Sequence, residues 1–488
     1  MDNDEEEEKG KRRKGRVVVR RGRVRKPPNR TTTITTETTT TTTTTKNKNK
    51  TSIVGLGGDI EDFSDELILK KIRDSLLQWY DQNQRVLPWR RRRSKTTDAD
   101  EDEEEDEKET SRRAYAVWVS EVMLQQTRVS TVIDYYNRWM EKWPTLHHLA
   151  QATQEEVNEM WAGLGYYRRA RFLLEGAKMV VEGGGEFPRT VPALRKVRGI
   201  GDYTAGAIAS IAFNEAVPVV DGNVVRVIAR LKAISANTKE SETIKNLWKL
   251  AGQLVDPHRP GDMNQSLMEL GAIICTPTSP SCSACPISEQ CHAFSLSRNS
   301  QRVQVTDYPV KVVKPKQRHD FCAVCVVEIL EDQKATCSSR NNGFLLVKRP
   351  DEGLLAGLWE FPSVLLDGEA DLAMRRKATD QFLKKSFNLD TDSCGIILRE
   401  DVGECVHIFT HIRLRMYVEL LILNPKGGSK ILSGKEEKDT IAWKCVDNKS
   451  IQDMGLTSGV RKVYNMIQQF KEKSLPENPR SRKRKKKL

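Results

Sequence analysis

The chain has 488 residues, a net charge of +13 and a pI near 9.2. That length accommodates two ordinary domains plus tails, and the basic balance points to a polyanionic partner such as nucleic acid. Ten cysteines are too few for a disulfide-framed scaffold, and no run of apolar residues is long enough to span a membrane.

Residues 1–60 hold an acidic block, a basic run (11–26) and a threonine tract (31–45), with no apolar periodicity. They read as a disordered tail. The acidic start fits neither a secretory signal nor a transit peptide, and a second basic run at 480–487 reads with the first as a nuclear address or a nucleic-acid contact. Leu67, Ile72, Leu76, Leu77 and Trp79 recur at helical spacing. Residues 91–113 form a charged insertion, expected to be a solvated loop. From Ala114 to about Ala293 the pattern is helices joined by Gly- or Pro-marked turns, an all-α domain in two lobes spanning 61–300.

Within it, Val197-Arg198-Gly199-Ile200-Gly201 sets two glycines around a tight turn before a helix, a place where backbone N–H groups suit one phosphate. About twenty residues on, Asp221 ends an apolar run and precedes Gly222 and Asn223, a pattern that serves equally for a helix N-cap. Cys275, Cys282, Cys285 and Cys291 form a Cys-x6-Cys-x2-Cys-x5-Cys run. Four thiolates suit either tetrahedral zinc or an iron–sulfur cluster. A zinc ribbon carries two separated Cys-x2-Cys knuckles, and this run has one, so a compact cubane fits it better. Pro277, Pro280 and Pro286 make the run a tight loop rather than a packed helix.

Residues 301–315 read as a linker. Beyond them the texture is α+β: strand-like runs at 321–330 and 343–349, helices at 372–387 and 458–470, and a hairpin or long strand at 406–422. Cys322 and Cys325 alternate poorly as ligands and read as core. Residues 316–470 form this domain, and 471–488 a basic tail.

Together the hairpin, the aspartate and the four-cysteine loop resemble the helix–hairpin–helix DNA glycosylases of the endonuclease III superfamily. Within it, Leu87-Pro88-Trp89-Arg90, the stretch Val117-Trp118-Val119-Ser120-Glu121-Val122-Met123-Leu124-Gln125-Gln126-Thr127, and Gly163-Leu164-Gly165-Tyr166-Tyr167 resemble MutY-type adenine DNA glycosylases of the eukaryotic form. The resemblance covers residues 64 to about 470. It implies an all-α glycosylase domain with a 4Fe-4S loop, followed by a Nudix-like α+β domain. It also implies a base excision repair enzyme that flips adenine out of duplex DNA opposite 8-oxoguanine or guanine and hydrolyses its N-glycosidic bond.

By this resemblance Glu121 is the acid that protonates the adenine, and Asp221 stabilises or traps the oxocarbenium ion. The apolar neighbours of Glu121 suit a raised pKa. Bifunctional relatives carry a Schiff-base lysine where this chain has Tyr203, so a monofunctional enzyme is expected, with Tyr203 and Asn223 orienting Asp221. The alternative is a glycosylase/lyase of the endonuclease III type. Arg85, Leu87, Trp89, Arg90, Leu124 and Gln265 match the adenine pocket. Gln126 and Tyr166 match positions that push into the DNA helix near the lesion; Thr127, Val197, Gly199, Gly201 and Arg226 are expected to be DNA-binding. The cluster loop is expected to be structural and DNA-binding.

Residues 344–349 and 353–362 resemble the family's Nudix-like domain, and Phe409, Thr410 and His411 match its Phe-Ser-His loop for reading 8-oxoguanine, with threonine in place of serine. The helix around Arg375-Arg376-Lys377 has Asp380 as its only acid, so no magnesium-dependent nucleotide hydrolysis is expected. Arg198 stands where the family's hairpin has proline. No clamp-binding motif is evident. The expected protein is a monomer on double-stranded DNA in the nucleus, with contacts to other repair factors unidentified and no membrane role.

Overall fold

The computed structural model describes residues 62–90, 107–311, 316–330, 343–389, 391, 395–424 and 441–474. The tail expectations for 1–60 and 475–488, and most of the charged insertion, lie outside these residues. So do 312–315 of the linker.

Helix α1 (Glu66–Asn83) starts at Asp65, whose side chain accepts from the amides of Leu67 and Ile68. Its buried stripe is Leu69, Ile72, Leu76, Leu77 and Tyr80. Leu67, counted with that stripe in the sequence, lies in the first turn on the outer face, 79% exposed. Helix α2 (Glu107–Leu124) differs from expectation. Residues 107–113, placed in a solvated loop, are its first turns, because the apolar run that follows nucleates a helix that extends back through them. From Ala114 to Met123 every residue but Ala116 is buried.

The domain continues through α3 (Val129–Lys142), α4 (Leu146–Ala150), α5 (Gln154–Trp161), α6 (Arg168–Glu182), α7 (Val191–Leu194), α8 (Asp202–Phe213), α9 (Gly222–Leu231), α10 (Ser241–Leu254), α11 (Pro260–Ile273) and α12 (His292–Asn299). Helix α8 packs on α2 and is built from small residues, with Ala205, Gly206, Ala207, Ala209 and Ala212 all buried. A Cβ on Gly206 would stand 2.6 Å from the Pro218 carbonyl oxygen. Two apolar clusters give the two lobes: one around Trp118, Trp139, Trp161 and Ile208, the other around Ile72, Val224, Leu250 and Leu267. The site described below lies where α2 and α8 of the first meet α9 and α11 of the second. No described helix is long and apolar enough to cross a membrane.

The C-terminal part is a seven-stranded mixed sheet. Strands β1 (Arg318–Ile329), β2 (Gly343–Lys348), β3 (Trp359–Glu360) and β4 (Ser363–Leu366) precede helix α13 (Leu372–Phe387). Then come β5 (Ile396–Ile408), β6 (Ile412–Leu423), β7 (Trp443–Val446), α14 (Ser450–Asp453) and α15 (Ser458–Ser474). The order is β3-β2-β1-β6-β5, with β4 on β1 and β7 on β2. Strands β1 and β6 pair in parallel, and β5 and β6 form the antiparallel hairpin read at 406–422. Cys322 and Cys325 are buried in β1. Helix α15 runs to Ser474, so the expected basic tail begins as helix.

The linker is less free than its composition suggests. Residues 305–307 form a 3-10 turn, and the Tyr308 carbonyl accepts from Arg230 of α9 at 2.9 Å. The two domains also touch through Leu358, whose side chain is 3% exposed and joins the first helical cluster.

Candidate active site

A cavity of about 370 Å³ gathers Arg85, Leu87, Trp89, Arg90, Glu121, Leu124, Gln126, Thr127, Tyr203, Asp221, Asn223 and Gln265. These residues come from α1's C-terminal loop, α2 and its following turn, α8, α9 and α11, so the lobes must pack before the cavity exists.

Glu121 sits in the last turn of α2, 5% exposed. Burial pushes its carboxyl up to about 7, Asp221 pushes the same way, and a hydrogen bond from Tyr203 and the charge of Arg90 restrain the rise. A carboxyl so placed still carries its proton near neutral pH. The Tyr203 hydroxyl donates a short hydrogen bond to Glu121 Oε2, and Met268 Sδ lies 3.6 Å from it. Tyr203 was expected to orient Asp221. Its hydroxyl instead goes to Glu121, because α8 lies against α2.

Asp221 caps α9. Its Oδ1 accepts from the amides of Asn223 (2.9 Å) and Val224 (2.7 Å), and its Oδ2 accepts from Asn223 Nδ2 (2.7 Å). The two readings of this aspartate coincide: the cap bonds fix the carboxylate while its oxygens border the cavity. Burial raises its pKa, opposed by those three hydrogen bonds and by Arg226. Asn223 Oδ1 in turn accepts from Arg226 Nη2 at 2.7 Å. Arg226, expected to be DNA-binding, directs its nitrogens to protein: Nε to Cys275 O (2.8 Å), Nη1 to Gly222 O (3.3 Å), and Nη2 to Asn223 and Gly271 O (2.6 Å). An (i, i+3) placement on α9 and the nearby cysteine loop turn it inward.

Glu269 of α11 had no sequence signal. It is fully buried, and Arg85 Nε and Nη2 (both 2.7 Å), the Arg85 amide (3.0 Å) and Arg90 Nη2 (2.8 Å) all donate to it. Burial opposes its charge, but these donors prevail and hold it down at about 2. Arg85 and Arg90 therefore line the cavity while sharing the one carboxylate of Glu269. Trp89 packs edge-on against Tyr136 at 5.2 Å, Leu87 is buried, and Gln265 Nε2 donates to Gly261 O (3.2 Å).

Two turns project beside the cavity. Gln126, exposed, has φ +58°, and Tyr166, 51% exposed, has φ +47°. Each is a non-glycine residue in the left-handed region, which costs about 1–2 kcal/mol and must be held by its surroundings. Thr127 closes the first turn through its amide to Leu124 O (3.2 Å). In the hairpin, Gly199 has φ +85°, and a Cβ there would meet Phe172 Cβ at 2.6 Å. Gly201 caps α8 and is exposed. Val197 differs from them: its side chain is 5% exposed and belongs to the core. Arg198 pairs with Glu175 (3.2 Å) and lies over Phe172 (4.6 Å).

Cys275, Cys282, Cys285 and Cys291 line one cavity with Ile274, Pro280, Phe294 and Val305. Among the described residues no three side chains converge as a single metal ion requires; the four thiols are spread around the walls. Burial pushes Cys285 up to about 12 and Cys291 to about 11, so bare thiolates are disfavoured there without a cationic group between them. Arg230, 1% exposed, donates to Cys275 Sγ (3.3 Å) and to the carbonyls of Thr276 (2.8 Å) and Pro277 (3.2 Å). The donor set, four thiols lining one cavity, fits a four-thiolate cluster.

In the C-terminal domain, Phe409, Thr410 and His411 form the turn between β5 and β6. The Phe409 amide donates to Ile412 O (2.8 Å), its ring meets His407 edge-on at 4.5 Å, and His411 is exposed. Thr410 Oγ1 lies 2.5 Å from the Tyr166 hydroxyl, joining this turn to the helical domain.

Residues 119–253 match the HhH-GPD superfamily of base excision DNA repair proteins, and residues 335–466 match the NUDIX domain family. The chain is 59% identical over 430 residues to an adenine DNA glycosylase of Arabidopsis thaliana, covering 84% of this chain and 66% of the plant protein. It is 41% identical over 447 residues to an adenine DNA glycosylase of Mus musculus, covering 84% of this chain and 80% of the mouse protein. The chain belongs to the adenine DNA glycosylase family. A human adenine DNA glycosylase is 46% identical, covering 74% of this chain and 68% of its own. Among solved structures, a thermostable thymine-DNA glycosylase aligns with 47% of this chain and 98% of its own at 27% identity, with a TM-score of 0.40. As in its family, a helical base excision repair domain is followed by a Nudix-like one, as the sequence led one to expect.

Proposed function

We propose that this adenine DNA glycosylase family member extrudes adenine paired with 8-oxoguanine or guanine from duplex DNA and hydrolyses its N-glycosidic bond, leaving an intact abasic strand. The observation that carries this reading is the pairing of Glu121, buried, and Asp221, half-buried, on one cavity, each differently supplied with donors. Cleavage of the bond puts negative charge on the departing base and positive charge on the sugar. Glu121 supplies a proton to the base, and Tyr203 holds the carboxyl by its Oε2. Asp221, fixed by the α9 amides and Asn223, faces the sugar with a carboxylate that cannot swing away. Gln126 and Tyr166 fill the stack that the adenine leaves. Tyr203 has no amine for a Schiff base, which supports monofunctional action.

Cys275, Cys282, Cys285 and Cys291 would hold a 4Fe-4S cluster, which shapes the loop that follows α11; it takes no part in the bond cleavage. Thr410, with Phe409 and His411, reads the 8-oxoguanine from the opposite strand. Arg376 of α13 and Arg399 of β5 both donate to Glu419 of β6, which supports a reading domain rather than a hydrolase. The basic runs at 11–26 and 480–487 support a nuclear protein acting on DNA.

The test is incubation with a duplex holding one A:8-oxoguanine pair. Strand breaks that appear only after alkali support the reading. Breaks without alkali, or borohydride trapping of an enzyme–DNA adduct, would replace it with a lyase. Iron at about four per chain supports the cluster, and stoichiometric zinc without iron would refute it.

A further inference from the structure

Gln126 and Tyr166 lie on separate turns, one after α2 and one between α5 and α6, and neither local sequence sets the distance between them. Arg169, in the first turn of α6, joins the two. Its Nη1 donates to the carbonyls of Val122 (2.8 Å), Met123 (3.0 Å) and Gln125 (2.5 Å), the last carbonyls of α2 and its turn. Its Nη2 donates to Leu164 O (3.3 Å), Gly165 O (3.2 Å) and Thr127 Oγ1 (3.4 Å). The guanidinium carbon stands 5.2 Å from the Trp161 ring centre and 5.5 Å from that of Tyr166. Trp161 Nε1 also donates to Gly165 O at 2.9 Å. Only Nε lacks a partner among the described residues. Burial lowers the Arg169 pKa to about 10, so the group stays charged at neutral pH.

We infer that Arg169 is a positioning residue that fixes the Gln126 turn against the Tyr166 turn, so that both side chains enter the DNA stack as one unit. This rests on the stack-filling role given to those two residues above. A planar fork is required, because six acceptors from two turns lie around one guanidinium. A lysine keeps the charge but offers three donors from one point and satisfies one turn at the expense of the other. Arg169 has no nitrogen directed outward for a phosphate, which separates this role from that of a DNA-contacting cation.

The test uses full-length, iron-loaded protein and R169K. Three quantities are read: amide exchange of residues 124–128 and 163–167 without DNA, emission of 2-aminopurine placed at the target position opposite 8-oxoguanine, and the single-turnover rate of adenine excision. R169K should deprotect both turns together, blunt the emission rise, and slow excision by about ten- to a hundredfold. Its affinity for the duplex should change by less than about threefold, with the salt slope unchanged, because no phosphate contact is lost. Wild-type exchange and emission in R169K would overturn the inference, and so would a salt slope lower by about one, which marks a phosphate ligand. If R169K does not fold, wild-type exchange decides: one shared opening free energy for the two turns supports the coupling, and independent openings refute it. Wild-type protein that neither raises emission nor excises adenine would sink the glycosylase reading, while the exchange data would still judge the coupling.

Discussion

Glu121 in the helical cavity and Glu419 in the C-terminal sheet are both buried, at 5% and 7% exposure, and their surroundings treat them oppositely. Glu419 receives Arg376 Nε at 2.5 Å and Arg399 Nη2 at 3.0 Å, and Arg399 also donates to Asp380 at 3.1 Å. Both acids, Asp380 on α13 and Glu419 on β6, are taken up by arginines. Glu121 receives the neutral hydroxyl of Tyr203 and, among the described residues, no ion-paired cation, and its carboxyl rises to about 7. Glu269, on the same cavity as Glu121, follows the pattern of the sheet: two arginines hold it at about 2. Burial alone thus assigns no role to a carboxyl. Arginines hold Glu269 charged, whereas Glu121, with a neutral hydroxyl as its hydrogen-bond donor, keeps a proton to give.

The contrast breaks first at the two carboxyls of the cavity. Glu121→Gln should slow single-turnover excision by about 10²–10⁴-fold, since the amide donates no acidic proton. Asp221→Asn should fall by at least about 10²–10³-fold while lesion binding persists, measured by gel shift. A near-normal rate in either variant would break the assignment. The sheet gives the opposite outcome. Glu419→Gln should leave adenine excision unchanged but destabilise the C-terminal domain by about 1–3 kcal/mol, read by thermal or urea melting, because two arginines lose their partner.

Tyr203→Phe sharpens the comparison. The Tyr203 hydrogen bond lowers the Glu121 pKa, so its loss should move the alkaline limb of the excision rate to higher pH, with a modest drop in the plateau. A limb that shifts to lower pH would contradict the geometry. The smallest effect belongs to Thr410→Ala. It removes a hydroxyl worth about 0.5–1.5 kcal/mol and should weaken the preference for A:8-oxoguanine over A:G about two- to tenfold, scored by competing substrates at fixed salt.

Much of this site was legible because its residues occur in contiguous runs. Glu121 stands inside an apolar helical stretch, Asp221 at an apolar-to-helix junction, and the four cysteines in one short loop. What escaped depends on residues far apart in the chain. Glu269 lies in an ordinary helix, and only folding brings Arg85 and Arg90 to it. The Tyr203 hydroxyl chooses Glu121 over Asp221 because the small residues of α8 let it lie close to α2. Arg226 reads as a surface base on an amphipathic helix until the cysteine loop arrives beside it. Residues 107–113 look like a charged loop because their composition outweighs the helix they begin. Leu358 gives no sign that it reaches into another domain's core.

The most direct test of the assignment is the pH profile of single-turnover adenine excision for wild type beside Glu121→Gln. On the proposed mechanism the protonated form of Glu121 is the active one in wild type. Its pKa is raised, so the rate should hold below about pH 7 and fall above it, while an acid limb marks protonation of Asp221. In Glu121→Gln the residual rate should lack the alkaline limb. An alkaline limb near pH 7 that survives in Glu121→Gln would show that another group gives the proton, and the role assigned to this buried carboxyl would be wrong.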